Sequence, residues 1–129
     1  MRSSRLTLSL GAVAGLFLAL TVYQNWDRPN CRTESWPRAE TFDSTAWGNV
    51  QARHRFHSWL KVHLPGRKAA EVHGLIGSPS SGYSAPDLLE SYKLGKLRLF
   101  SCGPIKSWAL LRVQYDPSGI VRDVFVSFD

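Results

Sequence analysis

The sequence predicts a small α+β domain behind an apolar N-terminal segment: two helices packed on a three-stranded antiparallel sheet, in the order α-α-β-β-β. Three observations carry this. Between residues 42 and 76 apolar residues recur at helical spacing. From residue 108 onward they alternate at strand spacing. Between these regions, residues 77–87 (GSPSSGYSAPD) are rich in Ser, Gly and Pro and have no apolar period. Helices followed by strands, rather than alternating with them, favour helices laid on one face of an antiparallel sheet. A chain of 129 residues suffices for one such domain and an appendage.

The appendage is residues 1–25. From Leu6 to Tyr23 the chain runs 18 residues without a charge or a proline. As a helix this spans roughly 27 Å, close to the ~30 Å hydrocarbon core of a bilayer. Arg2 and Arg5 precede it; Gln24, Asn25, Trp26 and Asp27 follow it. Positive charge stays on the cytoplasmic side, so the expected orientation sends the rest of the chain across. Tyr23 and Trp26 suit the far interface, where aromatic rings settle. The alternative is an exported chain with a cleaved signal, but the nearest small-x-small site, Ala19-Leu20-Thr21, is poor. A lipoprotein signal would place small residues directly before its cysteine, and Cys31 follows Arg28-Pro29-Asn30. A retained N-terminal transmembrane helix is the expectation.

Residues 26–41 are polar, with Pro29 and Pro37, and read as a linker. The domain is expected over residues 42–129. Asp43 is a good N-cap, since its carboxylate can accept from the first free N–H groups of a helix. Phe42 and Trp47 occupy the flanking staple positions. Phe42, Ala46, Val50, Phe56, Leu60 and Leu64 fall on one arc, which predicts an amphipathic helix from about residue 44 to 63. Pro65-Gly66 ends it. A shorter helix is expected over 67–76, with Ala69, Val72 and Leu75/Ile76 inward and Gly77 as C-terminal cap.

Leu88 to Leu94 is the first predicted strand. Residues 95–106 are ambiguous, interrupted by Cys102-Gly103-Pro104. Trp108 to Tyr115 alternates and reads as a strand. Asp116-Pro117-Ser118-Gly119 is a turn, with proline fixing φ and glycine accepting positive φ. Ile120 to Phe128 closes a hairpin, with Ile120, Val124, Val126 and Phe128 expected on one face.

Net charge is +6, from sixteen basic and ten acidic residues. The basic residues are scattered, with short clusters only at Arg53/Arg55 and Arg67/Lys68, which argues against nucleic acid as a partner. Attraction to anionic lipid headgroups suits such a domain better. Cys31 and Cys102 lie 71 residues apart. Outside the cytoplasm a disulfide is expected between them; two unpaired buried thiols are the other reading.

The run Leu64-Pro65-Gly66-Arg67-Lys68-Ala69-Ala70-Glu71-Val72-His73-Gly74-Leu75-Ile76-Gly77-Ser78-Pro79 is followed by Tyr92-Lys93-Leu94-Gly95, and then by the Trp108–Tyr115 and Ile120–Phe128 strands. This pattern resembles the BamE-like (SmpA/OmlA) small outer-membrane lipoprotein domain, over about residues 42–128. The resemblance implies two helices on a three-stranded sheet and a non-catalytic role in the cell envelope, such as scaffolding of outer-membrane protein assembly or envelope integrity. The chain departs from the pattern at Lys68, where relatives carry a Ser or Thr cap, and in lacking the lipid-attachment cysteine. The second departure favours a single-pass anchor in the bacterial inner membrane, with the domain in the periplasm.

Few residues suggest chemistry. His54 and His57 stand at near one-turn spacing, but no cysteine or carboxylate accompanies them in a metal-ligand pattern, and satisfied boundary histidines are the plainer reading. Ser78, Ser80, Ser81 and Ser84 sit in a loop without the strained Gly-x-Ser-x-Gly turn a serine nucleophile needs. Glu71 and Glu90 have no carboxylate partner at useful spacing, and Glu71 suits the first turn of its helix. No catalytic residue, cofactor, metal or small-molecule substrate is expected. Trp59, which lies off the apolar arc, and Ser80, Ser81 and Tyr83 of the loop are the candidate binding residues, since exposed aromatic side chains favour interaction sites. Envelope proteins are the expected partners, with the membrane engaged through the N-terminal helix. The alternative is an immunity or inhibitor protein that blocks a toxin or hydrolase.

Overall fold

The computed structural model describes residues 15–16, 28–81, 88–103 and 106–129. Most of the apolar Leu6–Tyr23 stretch, and Tyr83 of the loop, lie outside these. Among the described residues no helix is long and apolar enough to cross a membrane.

The helical half is built as three short helices and two 3₁₀ segments. Asp43 caps α1 (Ser44–Trp47) as its sequence context predicts: its carboxylate accepts from the Thr45 and Ala46 N–H groups at 2.9 and 3.3 Å. Phe42 packs on Trp47 with ring centroids 5.8 Å apart. The single helix expected over 44–63 is not formed. Asn49 turns extended, at φ −90° and ψ 108°, and its side chain accepts from the Gln51 N–H to start a 3₁₀ segment, Val50–Phe56. Asn and Gly are poor helix interiors, and an Asn side chain readily begins a new helical turn. α2 (His57–His63) continues from the 3₁₀ segment. α3 (Ala69–Ile76) ends at Gly77, whose φ of 81° needs glycine. Lys68 makes no side-chain cap. It is instead joined by an isolated bridge to Ile120, just before β3, and its backbone is extended before the helix starts.

The sheet is β1 (Leu89–Lys96), β2 (Trp108–Tyr115) and β3 (Val121–Phe128), antiparallel in sequence order. A bulge between Lys93 and Gly95 buries Leu94 as an extra residue. A second irregularity, opposite Gln114/Tyr115, puts both Val121 and Val124 in the core and turns Arg122 to solvent. This corrects the simple alternation expected from Ile120, where Ile120 would have shared the face of Val124. An extra residue in one strand resets the phase of every side chain beyond it.

The helices cover one sheet face. Phe56, Leu60, Leu64, Val72 and Ile76 pack with Tyr92, Leu94, Leu111, Val113, Tyr115, Val121 and Val124. Residues 28–41 join this core. Pro29 and Trp36 are buried, the Trp36 Nε1–H donates to the Asn30 carbonyl at 2.9 Å, and the Arg98 N–H donates to the Pro29 carbonyl at 2.8 Å. Cys31 and Cys102 form a disulfide across 5.6 Å between Cα atoms.

Candidate functional site

Two constellations gather polar groups. In the first, strand alternation sends Glu90 and Tyr92 of β1 to the helix-facing side, beside Tyr115 of β2. Glu90 is 0% exposed. Its carboxylate accepts from His73 Nε2 of α3 at 2.8 Å to each oxygen, from the Tyr92 hydroxyl at 2.8 Å, and from the Tyr115 hydroxyl at 3.4 Å. A carboxylate only accepts, so the His73 proton sits on Nε2. Burial and the Glu90 carboxylate together push the Tyr92 phenol far above its ordinary range. The His73–Glu90 pair has the geometry of a base and its orienting acid. Yet among the described residues nothing hydrogen-bonds to His73 Nδ1, where an activated nucleophile would stand. What the cluster does is fasten α3 to the sheet.

The second is a cleft of about 290 Å³ between α2 and β3. Leu111, Val124, Val126 and Phe128 make its apolar wall; His57 and Lys61 of α2 and Thr33 border it. Cys31, held by the disulfide, closes one side. His57 lies edge-on to Trp36, with ring centroids 5.0 Å apart. Burial lowers the His57 pKa, a backbone bond to His54 opposes this, and the charges of Lys61 and Arg38 lower it further. His57 is thus neutral at pH 7, leaving Lys61 as the cation of the cleft. No carboxylate is among the described residues that line it. The arrangement can hold an apolar group with a negative charge at the mouth.

The residues singled out from sequence lie elsewhere. Trp59 is half-buried on α2, stacked between Phe42 at 5.3 Å and His63 at 4.1 Å. Ser80 and Ser81 lie along the outer edge of β1. The Ser80 N–H donates to the Ser91 carbonyl at 2.7 Å, its hydroxyl accepts from the Lys93 N–H at 3.3 Å, and Ser81 bridges Ser91. They act as an edge cover for the sheet. His73 is 41% exposed at its side chain and tied to Glu90. Among the described residues no three metal-ligating side chains gather. Sequence reading missed the Glu90 cluster and the Lys61 cleft. The one available signal was Glu90 itself, an acid at a strand position sharing a face with Tyr92 and Leu94.

No protein-family model, no curated protein and no solved structure matches this chain.

Proposed function

We propose that this chain is a membrane-anchored module of the bacterial cell envelope that binds another envelope protein without catalysing a reaction on it. The observation that carries the reading is where the polar groups are spent. The most reactive-looking pair, His73 and Glu90, is committed to joining α3 to the sheet. The cleft left open beside β3 offers apolar wall and one cation, a combination suited to holding a partner. The disulfide between Cys31 and Cys102 is stable in an oxidising compartment, in keeping with a periplasmic domain behind an inner-membrane helix at Leu6–Tyr23. The α+β layering is the one the BamE-like resemblance implies, and the scaffolding role is taken from that resemblance.

The test is mild crosslinking in the native cell, with a C-terminal tag on the full chain, beside membrane fractionation. The tagged chain is expected in the membrane fraction with envelope-assembly proteins attached. A soluble chain with no crosslinked protein sinks the proposal. Recovery of a single toxin or hydrolase replaces scaffolding with inhibition.

A further inference from the structure

The two edges of the sheet are not equally protected. On β1 the outward main-chain groups of Ser91 and Lys93 are occupied. Ser91 pairs with Ser80 and Ser81, the Lys93 N–H donates to the Ser80 hydroxyl, and the Lys93 carbonyl accepts from Arg53 at 3.2 Å. The Lys96 N–H donates to the Gln51 side chain at 2.7 Å. Natural sheets cover their edges in such ways because an open edge pairs with other chains.

On β3 the cover stops halfway. The Val121 N–H donates to the Arg67 carbonyl, and the Gly66 N–H donates to the Val121 carbonyl. The Val124 N–H is capped by its neighbour Asp123 at 2.8 Å. Beyond this the orientation follows from register. Trp108 and Asp129 exchange both main-chain bonds, at 2.8 and 3.0 Å. Bonded pairs alternate along an antiparallel ladder. Leu110 with Ser127, Arg112 with Phe125 and Gln114 with Asp123 are therefore the bonded pairs. Val126 and Phe128 turn their N–H and C=O groups away from β2, and among the described residues nothing pairs with them.

Val124, Val126 and Phe128 line the cleft, together with Phe125 of the same strand. A strand added to this edge would lie about 4.8 Å outward and present alternate residues to the same face. Those residues would enter the cleft under α2. Its volume of about 290 Å³ equals that of roughly ten water-sized groups, the bulk of about two aliphatic side chains. Lys61 stands at the mouth, exposed, with no ion pair to a described residue.

We propose that the open half of β3 and the cleft behind it bind an extended segment of a partner protein as a fourth strand, apolar at two alternate positions and bearing a carboxylate that meets Lys61. Main-chain bonds give such a complex its affinity, and the pocketed side chains give its selectivity. The proposal rests on the binding-module reading and supplies its site and the chemistry of the partner segment.

The probe is a library of random dodecapeptides displayed on phage, selected on the full chain in lipid nanodiscs. Enriched peptides should be apolar at alternate positions with an Asp or Glu. A synthetic copy should slow hydrogen exchange at the Val126 and Phe128 amides. Its affinity should fall tenfold or more in Val126→Pro and in Lys61→Glu. The proline removes an outward N–H and no ladder bond. Should Val126→Pro not fold, Lys61→Glu, at an exposed position, carries the test. No enrichment, protection at β1 instead, unchanged affinity in the folded variants, or equal protection by lipid alone overturns the proposal. In-cell crosslinking separates the two readings. A partner captured equally by wild type and both variants sinks the edge site and keeps the binding module. No partner captured by wild type sinks both.

Discussion

Glu90 shows how one buried acid can be kept in a core. Its carboxylate is shut off from solvent, but it has three donors, and removing it would strand the buried Tyr92 hydroxyl and leave a cavity while His73 turned to solvent. A stranded buried hydroxyl costs ~1–3 kcal/mol. Glu90→Ala should therefore lower unfolding free energy by about 3 kcal/mol in urea titrations. Glu90→Gln, which keeps an acceptor for Tyr92, should cost about half as much. Equal losses in the two variants would mean that volume, not hydrogen bonding, matters at this position. His57 gives a prediction of pH dependence. Its folded pKa is held below the ordinary 6.5 by burial and by Lys61 and Arg38, so the unfolded chain takes the proton first as pH falls. The stability it contributes is fully present above about 6.5 and is lost as pH drops toward the folded pKa. The Tm of wild type should fall between pH 7 and pH 5 more steeply than that of His57→Phe. Parallel curves would remove His57 as the cause. Neither role was legible in the sequence, because both depend on which residues tertiary folding brings alongside.

The elements were legible where local chemistry decided them. Asp43, Gly77 and the turn at Asp116–Gly119 each carry their own signal, and each stands where expected; the Asp116 carboxylate accepts from the Ser118 and Ile120 N–H groups. The long helix failed at Gly48-Asn49 because apolar periodicity runs unbroken through a 3₁₀ segment that buries nearly the same face. The β1 bulge was hidden for another reason: it answers to a neighbour distant in sequence. Gly95 sits at φ 143°, and a Cβ there would meet the Pro29 ring at 3.1 Å. Strain in a sparse backbone region and overpacking each cost ~1–3 kcal/mol, so Gly95→Ala should destabilise by about 2–4 kcal/mol. Gly74, inside α3, has open space where its Cβ would stand. Gly74→Ala should stabilise by ~0.5–1 kcal/mol through helix propensity alone. One chemical change with opposite signs at two sites is checked by thermal melts of the two variants. A stabilising Gly95→Ala would refute the close approach of Pro29 to β1, and a destabilising Gly74→Ala would refute the open space in α3.

For the molecule as a whole, the order of helices before strands was enough to give the α+β layering, and the helix-facing core follows from it. The role of residues 28–41 was not visible, since their prolines and charges resemble a linker. In the fold they place Trp36 against His54, His57 and Phe128, and Pro29 against Gly95. The disulfide makes this packing permanent by closing a loop across a sequence separation of 71. Cross-linking a loop of that length removes unfolded-state entropy equivalent to ~4 kcal/mol. Replacing Cys31 and Cys102 together by serine should therefore lower unfolding free energy by about 2–4 kcal/mol, with the wild-type protein under reducing agent matching the variant. The effect should also be local. Hydrogen exchange should accelerate most at Trp36 and Ala39, whose amides are held by Thr33 and Arg55, and least in β2. Uniform acceleration would show that the bond stabilises the whole core rather than the attachment of this segment. No change on reduction would show that Trp36 and Pro29 anchor it unaided.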